Sequence, residues 1–238
     1  MKKVIIVSLG NKTGKSLYEQ LKSILDEKIY VNFYSIENHI PKELECDLII
    51  FSSDTVKEII LSSRSINSKY IIARRIIKNQ FIDELINITT NQDVLVVNDE
   101  ASTCEAAIQQ LKSHGINHIN YYPYYPGIEE YKKLELAITP GEANLVPSCV
   151  KRTIDIGPRI MDITSIVEIL INLECINEYA DSLSSYFFRN MVITSKRYIN
   201  MANHSNKIKE ILENIIDNSQ DGIIYTNTNN EVLVFNKK

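Results

Sequence analysis

Residues 2–21 read Lys2-Lys-Val-Ile-Ile-Val-Ser-Leu-Gly10-Asn-Lys-Thr-Gly14-Lys15-Ser16-Leu17-Tyr-Glu-Gln-Leu21. Stretch 4–9 is almost continuously apolar, the pattern of a strand buried on both faces of a parallel sheet. From 16 to 25, Leu17, Leu21, Ile24 and Leu25 recur at helical spacing. The alternation continues with strands at 29–34, 48–51, 70–73, 94–97 and 119–122. Helices fall at 56–61, 81–88 and 101–113, the last closed by Gly115 as its C-terminal cap. Strict alternation predicts an α/β fold with a mainly parallel sheet, built as one or two Rossmann-like lobes. The α/β region spans 1–165 and is divisible into lobes 1–77 and 78–165.

The pattern changes at 121–127, Tyr-Tyr-Pro-Tyr-Tyr-Pro-Gly, which fits neither a helix nor a central strand. Strands at 134–138 and 153–156 follow, with a turn at Pro140-Gly141. Ser165-Ile-Val-Glu168 has the form of a capping box, and it predicts one long helix over 166–216. An apolar seam runs along it from Ile176 through Leu183, Phe187 and Met191 to Leu212 and Ile215. Its spacing alternates four and three, with one stutter at Leu183, Phe187 and Met191. The seam either packs on its own domain or forms a dimeric coiled coil, the favoured reading because it runs into the tail. Thr194 and Ser205 weaken it, and the Asn-rich stretch 200–206 is a candidate break. In the tail, residues 211–236, an amphipathic helix meets Asp221-Gly222, then an apolar strand, an Asn-rich turn and a second strand. No internal repeat is visible.

Composition narrows the function. The chain has 238 residues, a net charge of -4 and 44% hydrophobic residues. That balance argues against a large basic face for nucleic acid. No apolar run approaches the roughly 20 residues of a membrane span, and the start lacks a secretory signal pattern. The four cysteines form no Cys-x-x-Cys, and the four histidines form no ligand cluster. The expectation is a cytoplasmic protein with reduced thiols, no metal and no cofactor.

Gly10-Asn-Lys-Thr-Gly14-Lys15-Ser16 follows a strand and opens a helix, as a phosphate-binding P-loop does. It has three residues between its glycines where that loop needs four, and Leu9 stands where glycine should be. A nucleotide-binding enzyme using 10–16 is the alternative function; an ordinary strand–helix turn, or an anion held at Asn11, are the milder readings. Ser52, Ser53 and Asp54 end one strand, Arg74 and Arg75 another, and Asn98 with Asp99 a third. In open parallel sheets that edge is where ligands sit. Two adjacent guanidiniums suit a carboxylate or phosphate, the alternative being an ion pair with Glu43 or Asp83. Asp54 and Asp99 read equally well as helix caps. Tyr122, Tyr124 and Tyr125 either wall a ligand pocket or pack between lobes. Arg159 reads as a tie to the following helix through Asp155 or Asp162, or as a ligand contact. No nucleophile–base pair stands out, and no catalytic residue is expected.

Tyr122-Pro-Tyr-Tyr-Pro-Gly127, Ala137-Ile-Thr-Pro-Gly141, Leu145-Val-Pro147 and Ile154-Asp-Ile-Gly-Pro-Arg-Ile-Met-Asp-Ile-Thr-Ser165 form an ordered set. With the tail at 217–238, which resembles the start of a PAS domain, the set resembles the N-terminal sensory region of clostridial sigma-54-dependent transcriptional activators. The resemblance implies a non-catalytic region, 1–165, that senses a small anionic or amino-acid-like ligand. It implies a helical linker, 166–216, that joins a homodimer. It also implies a remaining PAS core, an ATPase acting on sigma-54 RNA polymerase and a DNA-binding domain C-terminal to this sequence. Read from the residues themselves, Arg159 and Asp162 are the expected couplers of sensor to output.

Overall fold

The computed structural model describes residues 1–78, 81–219, 222–229 and 231–236. Strand β1 (Lys2–Ser8), helix α1 (Asn11–Lys22), β2 (Ile29–Ser35), β3 (Leu48–Phe51), α2 (Asp54–Ser63) and β4 (Lys69–Ile72) build the first lobe. Its sheet is parallel, in the order β2-β1-β3-β4. The central strands are apolar without a break at 4–7 of β1 and throughout β3 because both faces are covered. Ile5, Val7, Ile49 and Phe51 pack on one face with Val56 and Ile60 of α2. Val4, Ile6, Leu48 and Ile50, equally buried, point to the other by the period of two.

The chain leaves this lobe through a two-residue strand, β5 (Arg75–Ile76), and helix α3 (Ile82–Ile86). Strand β6 (Asp93–Val97), helix α4 (Ala101–Ser113), β7 (Asn120–Tyr124), β8 (Leu136–Thr139) and β9 (Arg152–Asp155) form the second lobe. Its sheet, β7-β6-β8-β9, is also parallel and repeats the strand order of the first. Val94, Val96, Ile138 and Ile154 pack beneath α4 and with Leu85 of α3. The opposite face is covered by Tyr122 and Tyr124 of β7 and by side chains from the following connections, among them Tyr131 and Leu145. Strand β7 runs two residues beyond the end expected at Tyr122. It is an edge strand, where Pro123 costs no ladder hydrogen bond.

Strand β10 (Ile160–Met161) then pairs antiparallel with β5, Met161 opposite Arg75 and Ile160 opposite Ile76. This ribbon carries both crossings between the lobes. Helix α1 holds it from one side: the buried Gln20 accepts from Met161 N–H at 2.7 Å and donates to the Met161 carbonyl at 2.8 Å. Gln110 of α4 donates to the Arg75 carbonyl. Gln20 and Gln110 are each the tenth residue of their helix, so the two lobes grip the ribbon by equivalent positions.

Helix α5 (Ile163–Asn172) returns to the first lobe beside β4. Ile166, Ile169 and Leu170 are buried, each contributing about 1.5–3 kcal/mol. Its start differs from the expected capping box. Asp162 is the N-cap and accepts from Ser165 N–H at 2.7 Å, while Ser165 lies fully buried within the helix. The single helix expected over 166–216 is broken at Glu174, whose φ of 54° lies in the left-handed region. Helix α6 (Ile176–Asp217) follows and continues without a break through 200–206.

Two compact units divide the chain, Met1–Tyr186 and Phe187–Lys238. Both lobes, the ribbon and the first turns of α6 belong to the first unit. There Tyr179 and Leu183 are buried, Tyr179 donates to Asp26, and Lys28 pairs with Glu178 at 2.7 Å. The second unit holds the rest of α6 and an antiparallel pair, β11 (Ile224–Thr226) and β12 (Val232–Phe235). These match the two strands expected of the tail, of whose quoted residues Gln220, Asp221 and Asn230 lie outside the described residues. Among the described residues, no helix is long and apolar enough to cross a membrane.

Gln20→Ala leaves the backbone N–H and C=O of Met161 buried without these partners. We expect a loss of at least about 2 kcal/mol of stability, read by urea denaturation monitored by circular dichroism.

Candidate functional site

In each lobe the chain reverses its winding between its first and third strands: β1 lies between β2 and β3, and β6 between β7 and β8. The carboxyl ends of strands at such a switch point leave a crevice. Here the crevices of the two lobes open into one cavity of about 280 Å³ with the ribbon beside it. Lobe 1 contributes Gly10 and Thr13 after β1, Glu37 after β2, and Ser52 and Ser53 after β3. Lobe 2 contributes Asn98, Asp99 and Thr103 after β6, Pro126 after β7, and Glu142 and Asn144 after β8. Arg75 enters from β5 and Arg159 from the residue just before β10.

The turn that sets Arg159 is rigid. Gly157 has a φ of 66°, open to glycine at little cost, and Pro158 follows it. Asp155 Oδ1 accepts from both Gly141 N–H (2.9 Å) and Gly157 N–H (2.8 Å), fastening the ends of β8 and β9 together. Arg159 is 8% exposed. Among the described residues its guanidinium makes no hydrogen bond or ion pair, and neither does that of the partly buried Arg75. Burial first, and then the charge of Arg159, pull the Arg75 guanidinium down to about 9, with Asp99 opposing. Burial likewise lowers Arg159, again opposed by Asp99. Both remain cationic at neutral pH. Two like charges are thus held together along one cavity wall.

Ser52, Ser53, Arg75 and Asn98 are thus gathered as the sequence suggested, and Arg159 joins them. Its expected partners are otherwise engaged: Asp155 on the two glycine N–H groups, Asp162 as the cap of α5. Arg74 points the other way. It donates to Thr164 at 2.8 Å and pairs with Glu168 at 2.6 Å, while its own N–H reaches Ser165 Oγ at 2.8 Å. Asp162 sits 3.9 Å from it, and Asp162 N–H donates to the Arg74 carbonyl. Asp54 is in the first turn of α2, paired with Lys57 at 3.0 Å. Tyr122 packs on the core of lobe 2 beneath Lys132. Tyr125 does not line the cavity, where its neighbour Pro126 does.

Asn11 opens α1, but its N–H already donates to Glu37 at 2.9 Å. An internal carboxylate therefore stands where a P-loop would hold phosphate. Gly14 has a packing role: a Cβ there would lie 2.6 Å from Ser8 Oγ and 2.7 Å from the Phe33 ring. Lys15 is exposed and pairs loosely with Glu19, 3.9 Å away.

Glu37, Thr103, Glu142 and Asn144 were not singled out from sequence. The available signal was positional: each follows a strand of one of the two sheets. Among the described residues, no group of three His, Cys, Asp or Glu side chains converges as metal ligands. Comparison of the chain with known protein families, curated proteins and solved structures found no match.

The contrast between Gly14 and Lys15 can be measured. Gly14→Ala should lose about 1 kcal/mol in denaturant titration, because overpacking outweighs the gain in helix propensity. Lys15→Ala should stay within about 0.5 kcal/mol of the parent, and ATP should raise the melting temperature of neither protein.

Proposed function

We propose that this chain is the ligand-sensing and dimerisation region of a cytoplasmic, sigma-54-dependent transcriptional activator, with no catalytic role of its own. The observation that carries the reading is the pair of unpartnered guanidiniums, Arg75 and Arg159, in a cavity shared by two lobes. A small anion bound there neutralises both and draws the sheet edges of the two lobes toward one another. The lobes are joined through the β5–β10 ribbon, so a ligand that prefers the closed arrangement shifts the population toward it.

The ribbon also suits transmission. Arg75 faces the cavity, and Arg74, the residue before it, holds α5 through Thr164, Ser165 and Glu168. A shift of the Arg75 backbone on ligand binding is therefore felt at the start of the helical segment. The sigma-54 part of the reading rests on the resemblance of the motifs at 122–165. In it, contact with polymerase and DNA belongs to domains C-terminal to this region.

A homodimer through α6 is part of the same proposal. Along the far half of the seam Met201, Ile208, Leu212 and Ile215 are 43–62% exposed, at heptad positions suited to a second copy. Leu183, by contrast, is buried within the first unit and is unsuited to testing association.

Inorganic phosphate and acetate, as probe anions, should raise the melting temperature of the chain, and Arg159→Gln should abolish that rise while preserving the far-ultraviolet circular dichroism. An unaltered rise in the variant overturns the site. Separately, Leu212→Asp should turn a dimer into a monomer in sedimentation velocity. A parent that sediments as a monomer at high concentration overturns the dimer.

A further inference from the structure

The cavity contains more acid than its two arginines require. Asp99 and Glu142 both line it, from the ends of β6 and β8, and Glu37 faces them from lobe 1. The Glu37 carboxylate is engaged with Asn11 N–H, and Asp99 Oδ1 accepts from the Thr103 hydroxyl at 2.6 Å. The half-buried Glu142 makes no side-chain hydrogen bond or ion pair among the described residues. Asp99 shares the cavity lining with Arg75, Arg159 and Glu142 and acts electrostatically on all three. Burial and then Asp99 push the Glu142 carboxyl up, and Lys12 opposes them. Lys12 itself donates to the Gly141 carbonyl at 3.3 Å, across the mouth between the lobes.

A ligand with anionic groups at both ends would gain at Arg75 and Arg159 and be repelled at Asp99 and Glu142. Within a small, partly dry cavity that opposition is not screened away. A ligand with a cation next to its anion meets an opposite charge at each end. The buried, unpartnered Arg159 fixes which end is which. We infer that the cleft selects a small zwitterion, with its carboxylate on Arg75 and Arg159 and its ammonium group on Asp99 and Glu142. The cavity volume of about 280 Å³, just under the range of drug-sized sites, has room for a single amino acid. This inference rests on the anion-binding reading above and adds that charge selection is done by two lobe 2 acids, Asp99 and Glu142.

The test uses the whole chain and isothermal titration calorimetry, after a thermal-shift screen. The probes are the twenty amino acids, the des-amino carboxylate of each, succinate and inorganic phosphate. At least one amino acid should bind at least tenfold more tightly than its des-amino counterpart. Glu142→Gln should weaken that amino acid about tenfold and leave the des-amino acid unchanged or tighter. If Glu142→Gln loses its circular dichroism signature, Asp99→Asn serves for the same comparison. Equal affinity for an amino acid and its des-amino form overturns the zwitterion inference and leaves the anion site standing. So does binding of succinate or phosphate in preference to every amino acid. Absence of binding by every probe overturns both.

Discussion

Everything in the first unit hangs on the grip of two glutamines on a ribbon two residues wide. A pair as short as β5–β10 has almost no stability of its own. It persists because Gln20 satisfies both backbone groups of Met161 and Gln110 satisfies the carbonyl of Arg75, the residue opposite. Those bonds fix where the lobes cross, where Arg75 and Arg159 enter the cavity, and where α5 begins. Buried Gln20, Arg159 and Ser165 thus cluster where two apolar cores are joined without merging.

The fold was legible because buried parallel strands leave a strong trace. Residues 4–7, 48–51 and 94–97 are apolar without interruption, and each proved to lie in a central strand. The repetition of strand order in the two lobes was invisible, since α2 in the first is answered only by a 3-10 turn, Ala143–Leu145, in the second. Equivalent backbone paths place no demand for equivalent side chains. The break at Glu174 also escaped notice. The apolar periodicity is continuous on either side of it, and one residue in the left-handed region leaves no pattern.

The site was half legible. Polar residues that end apolar strands could be picked out, which gave Ser52, Ser53, Arg75 and Asn98. The orientation of neighbours could not. Arg74 and Arg75 are adjacent and chemically identical, yet successive residues of an extended chain point to opposite sides, so one reaches the cavity and the other α5. Arg159 reaches the same cavity from the residue just before β10. Acids such as Glu37 and Glu142 stand in loops of ordinary composition, and only the convergence of two sheet edges gives them a common target.

One consequence concerns the order in which this protein can take shape on the ribosome. Lobe 2 is an uninterrupted stretch inserted into lobe 1, which resumes only at α5. When β9 has emerged, every strand of lobe 2 is present, whereas the lobe made earlier still exposes the surface that Ile166, Ile169 and Leu170 later cover. Synthesis usually favours completion from the N-terminus onward. Here the first-made lobe is the last to close, because the helix that covers its flank is made after lobe 2.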